Sequence, residues 1–103
     1  MGATNFYCKS KGTTAQEAFT NAVKLYQYEN GHAGYTGTIA EKTTFSMASS
    51  ESLSSQDAFA LANSVLDVKY NDKWGPAGCI QLLSTSPQHS ESKEFLFFGW
   101  ASS

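Results

Sequence analysis

The stretch Phe95-Leu-Phe-Phe-Gly-Trp100 constrains the fold most, because it is apolar on both of the faces a strand presents. A strand with one wet face alternates between apolar and polar residues, so continuous hydrophobicity implies that something covers both sides of the sheet at this point. The remaining elements follow from periodicity. Asn5-Phe-Tyr-Cys-Lys9 reads as a first strand, with Phe6 and Cys8 on one face and Tyr7 and Lys9 on the other. Thr14-Ala-Gln-Glu17 fits a capping box and predicts a helix from Ala15 to a C-terminal glycine at Gly31, with Ala15, Ala18, Phe19, Ala22, Val23 and Tyr26 as its apolar stripe. Period-two alternation from Tyr35 to Lys42 predicts a second strand. Thr44-Phe-Ser-Met47 either continues that strand or forms a short third one. A Ser-rich connection leads to a second helix, capped by Ser54 or Ser55 and running to about Val68, with Ala58, Leu61, Ala62 and Val65 on its apolar side. Cys79-Ile-Gln-Leu-Leu83 predicts another strand, and the polar segment from Ser84 to Lys93 an exposed hairpin loop.

These elements fit one α+β domain over residues 1–103, an antiparallel sheet of four to five strands with two helices on one face and ferredoxin-like elements. Two helices on one face leave the other bare. Leu96, Phe98 and Trp100 are therefore expected at an interface, most simply in a homo-oligomer.

Net charge of −2, with all seven basic residues lysine, gives no electrostatic footprint for duplex nucleic acid. No apolar run reaches the roughly 18 to 20 residues that cross a bilayer, and the N-terminus lacks a basic segment followed by an apolar one. The expectation is a soluble, cytoplasmic protein without membrane association. Cys8 and Cys79 read as reduced, buried residues.

The candidate site is the glycine-spaced run from Gly31 to Lys42 together with the loop Lys73-Trp-Gly-Pro-Ala-Gly78. Gly31 and Gly34 suit a helix end and a turn, and Gly37 suits a bulge; the same glycines also let a ligand approach the backbone. If the two loops meet at one end of the sheet, His32, Gly34, Tyr35, Thr36, Gly37, Thr38, Lys73 and Trp74 surround exposed amides. That arrangement suits a phosphate or a base, with lysine for charge and tryptophan for stacking. The run is not a Walker loop, since no Lys-Ser/Thr pair follows, nor a Rossmann fingerprint, since it opens a strand. His32 with Glu41 is the available acid–base pair, although no catalytic residue is assigned. Neither histidine stands in a metal-ligand spacing, and neither a metal nor a cofactor is expected.

Gly34-Tyr-Thr-Gly-Thr-Ile-Ala-Glu-Lys42, Asp72-Lys-Trp-Gly-Pro-Ala-Gly-Cys79 and Phe95-Leu-Phe-Phe-Gly-Trp-Ala-Ser-Ser103 resemble a family of short uncharacterised proteins of phages, prophages and mobile elements. The resemblance carries no assigned activity. It implies a context, in which small accessory proteins act against host defence by sequestering a nucleotide signal, by blocking a defence protein, or by degrading the signal. The first reading fits the site residues best, with a protein inhibitor and a nucleotide-degrading enzyme as the alternatives.

Overall fold

The computed structural model describes residues 2–30, 37–83 and 93–102. Along the chain come β1 (Ala3–Gly12), α1 (Ala15–Asn30), a 3₁₀ turn (Ile39–Glu41), β2 (Phe45–Met47), α2 (Ser55–Leu66), β3 (Ala77–Gln81) and β4 (Lys93–Ser102). The four strands form one sheet in the order β1-β4-β3-β2. The α+β class, the strand count and the two helices match the sequence reading.

Both helices start where side-chain caps allow. Thr14 Oγ1 accepts from the Glu17 amide at 3.1 Å, and the Glu17 carboxylate reaches back one residue further than a capping box requires, accepting from Thr13 N at 3.2 Å and Thr13 Oγ1 at 3.0 Å. Ser54 Oγ accepts from Asp57 N at 3.2 Å to open α2.

Three features differ from expectation. The sheet is mixed, because β2 and β3 run parallel through the α2 crossover, while β3 and β1 both pair antiparallel with β4. The helices also take opposite faces. Ala18, Phe19 and Ala22 of α1 pack with Phe6, Cys8, Cys79, Phe95 and Phe97, whereas Ala58, Ala62 and Leu66 of α2 pack with Ile80, Leu96 and Phe98. Successive strand side chains alternate between faces, so these two sets lie on opposite sides of the sheet. The two-sided apolarity of β4 is thereby satisfied within one chain. Leu96 and Phe98 are fully buried under α2 and Trp100 is half-buried beside it, so the shortage of cover from which an oligomer interface at Leu96, Phe98 and Trp100 was expected does not exist.

The Tyr35 to Lys42 strand is also not formed where residues are described. Thr38 Oγ1 accepts from Ala40 N at 3.2 Å, and the Glu41 and Lys42 amides bond the Thr38 and Ile39 carbonyls, which coils the backbone into the 3₁₀ turn. The turn buries Ile39 against the α1 face.

Cys8 and Cys79 are free, buried, and both in register with Phe97 from either side of β4. Burial pushes each thiol from an ordinary 9.0 up to about 12. Since the folded thiols hold their protons after the unfolded ones have lost theirs, their contribution is intact below pH 9.0 and is lost as pH rises toward about 12. Each thiol accounts for about 1.4 kcal/mol per pH unit in that window. Burial lowers the Lys42 amine from its ordinary 10.5 and works in the opposite sense, but it is one group against two. Urea unfolding between pH 8 and 10 should show a falling midpoint, and Cys79→Ala should flatten the fall.

Candidate functional site

Three segments far apart in sequence meet at the end of the sheet where β1 begins and β4 ends. Gly37 has a φ of 70°, a conformation that suits glycine, and its amide bonds the Ser102 carbonyl at 2.8 Å. Five residues on, Lys42 is only 3% exposed. Its ammonium donates to the carbonyls of Asp72 at 3.3 Å, Lys73 at 3.2 Å and Gly75 at 2.8 Å. Three donors on one nitrogen thus meet three acceptors of one loop. The cost of burying the charge lowers the Lys42 pKa, and the Asp72 carboxylate partly offsets it.

The loop itself is a turn closed by Asp72. Its Oδ1 accepts from Trp74 N at 2.9 Å, and its carbonyl accepts from Gly75 N at 3.0 Å. With carbonyls turned inward to Lys42 and two amides used inside the turn, Trp74 N and Gly75 N are not open to a phosphate as the sequence reading supposed. The side chains are what the loop displays. Trp74 is 67% exposed, and the Lys73 ammonium lies 5.3 Å from its ring centroid.

On the α2 side of this end is an open cleft of about 560 Å³, lined by Gly2, Ala3, Asp67, Asn71, Lys73 and Trp100. The Lys73 ammonium reaches toward the Gly2 carbonyl at 3.5 Å. Trp100 donates its indole N–H to Asp67 Oδ1 at 3.0 Å, which fixes both side chains. A cation, a carboxylate, an amide and an aromatic wall therefore converge on one volume, the combination that small-molecule sites use. A second cleft of about 420 Å³ lies along α1, between Gln16, Phe19, Thr20, Val23, Lys24, Gln27, Lys42 and Thr43.

The expected site residues divide as follows. Lys73 lines the first cleft, and Trp74 stands beside it on the same loop. Gly37 and Thr38 are in the segment that Lys42 ties to the loop, yet they line neither cleft. His32, Gly34, Tyr35 and Thr36 lie outside the described residues. Asp67, Asn71 and Trp100 line the cleft without having been read as ligand-facing. Asp67 carried a signal nonetheless: it is an acid at the C-cap of a helix with no basic residue in its last turn, where the dipole disfavours negative charge. Among the described residues no group of three or more His, Cys, Asp or Glu side chains is placed to hold a metal ion, and no helix is long and apolar enough to cross a membrane.

Compared with protein-family models, with curated proteins and with solved structures, the chain finds no match.

Proposed function

We propose that this protein binds a small phosphorylated, nucleotide-like molecule in the Lys73 cleft and acts by withholding it from other proteins. The observation that carries the reading is the convergence of Lys73, Asn71, Asp67 and Trp100 on one open volume of about 560 Å³. Lysine supplies charge for a phosphate, Asn71 supplies a donor and an acceptor for a base edge, and the Trp100 indole supplies apolar surface, with the exposed Trp74 ring beside the cleft on the Lys73 loop. The likeness of the three segments to phage and mobile-element proteins gives the reading its biological form, the sequestration of a nucleotide signal of host defence. The segments that carry this likeness are those joined through Gly37, Lys42 and the Asp72 turn.

Thermal melts against a panel of nucleotides test the reading. A bound nucleotide at one hundred times its Kd adds about 2.7 kcal/mol to stability. Trp74→Ala should leave the free protein within about 0.5 kcal/mol of wild type, since so exposed a ring packs on little. It should reduce the nucleotide-induced shift by about 1 to 3 kcal/mol if the ring stacks on the base. Wild-type protein that no nucleotide stabilises, but that captures a host defence protein, would favour the inhibitor alternative instead.

A further inference from the structure

We infer that Asp67 reads the sugar hydroxyls of the bound molecule, so that the cleft selects a ribonucleotide over its deoxy counterpart. The inference rests on the binding reading above and names the substrate class of the same site. Asp67 occupies the C-cap of α2, with its own amide bonded to Val65 O. The exposed carbonyls of a helix end make this an unfavourable place for a carboxylate, and the last turn of α2 carries no basic residue to offset it. One oxygen is committed, since Oδ1 accepts from the Trp100 indole at 3.0 Å. That contact holds the carboxylate at the cleft wall, with the residue exposed and its second oxygen without a hydrogen bond among the described residues.

Lys73 lines the same cleft, yet among the described residues no ion pair joins it to Asp67. Opposite charges that share a cleft without neutralising each other ask for a ligand with two different ends. Lys73 is donor-only and takes an anion; an ionised Asp67 is acceptor-only and takes hydroxyl or ammonium hydrogens. A ribose 5′-phosphate has both ends, with its vicinal diol supplying two O–H donors, and a carboxylate on the ribose hydroxyls is a recurrent solution in nucleotide sites. A zwitterionic amino acid would satisfy the two charges but would leave the Asn71 amide and the Trp100 wall without use.

The test is calorimetric titration with adenosine 5′-monophosphate and its 2′,3′-dideoxy counterpart. Wild-type protein should bind the ribonucleotide about tenfold more tightly, as expected for loss of a hydrogen bond to a charged group. Asp67→Asn keeps an oxygen for the Trp100 indole, puts an N–H donor in place of the outer acceptor and removes the charge. It should bring the ratio of ribonucleotide to dideoxy affinity from about ten down to about one, since loss of the negative charge acts on the phosphate of both nucleotides alike. Equal wild-type affinities, or an Asp67→Asn variant that keeps the wild-type ratio between the two nucleotides, would overturn the inference and leave the binding reading in place. Failure of wild type to bind either nucleotide would count against the binding reading and remove this inference with it. The wild-type comparison needs no variant, so it stands even if Asp67→Asn folds poorly.

Discussion

Phe98→Ala is expected to lower the unfolding free energy by about 3 to 5 kcal/mol, the cost of emptying a ring-sized space in a well-packed core. The ring is fully buried between sheet and α2, 5.1 Å from the Tyr70 ring and 6.5 Å from that of Tyr7. It also lies over Gly78, its partner in register on β3. A Cβ on Gly78 would stand 2.3 Å from Phe98 Cζ and 2.6 Å and 2.7 Å from two further ring atoms. Neither β3 nor a fully packed ring can move far enough to clear that overlap, so Gly78→Ala should cost about 1 to 3 kcal/mol. Because the two changes share one space, the double variant Gly78→Ala with Phe98→Ala should lose less than the sum of the singles. Urea titration of the four proteins measures this. Strict additivity would mean that the ring does not occupy the space above Gly78.

Lys42→Met should cost about 3 kcal/mol and act on one loop before the rest of the chain. Methionine replaces most of the aliphatic stem but removes every donor, leaving the Asp72, Lys73 and Gly75 carbonyls without the ammonium that joins them. The loss is held below the sum of three charge-assisted bonds because the variant no longer buries a charge and because the released loop can turn its carbonyls to water. Amide hydrogen exchange in residues 72–76 should therefore quicken more than exchange in β4. Uniform quickening throughout the chain would show instead that Lys42 supports the whole fold equally.

The sequence carried the local half of this structure. Thr14 and Ser54 announced both helix starts, the α1 stripe named its buried residues, and the two-sided apolarity of Phe95 to Trp100 announced a central strand covered on both faces. Two kinds of information were absent. A helix stripe shows which side of the helix is buried but not which face of the sheet receives it. That choice is made by connection geometry, here the crossover of α2 between parallel β2 and β3. The alternation from Tyr35 to Lys42 was equally ambiguous, because a threonine that caps its own turn reads as a strand residue until the backbone bond is seen.

The site was legible in part for the same reason. Lys73, which lines the cleft, could be singled out by residue type because a lysine beside a tryptophan has a meaning that needs no tertiary context, whereas Gly37, also singled out, lines neither cleft. The Lys42 bonds span 30 to 33 residues, and Trp100 reaches Asp67 across 33. No local pattern encodes pairs so far apart. The one available hint was the acid left at the end of α2 against the helix dipole.

Amide chemical shifts during titration with adenosine 5′-monophosphate test the site assignment most directly. The largest changes should fall on Ala3, Asp67, Asn71, Lys73 and Trp100, with the Trp100 indole N–H among them because its acceptor, Asp67, lines the same cleft. Changes gathered instead along Gln16 to Gln27 of α1, or none at saturating nucleotide, would contradict the placement of a nucleotide site at the Lys73 end of the sheet.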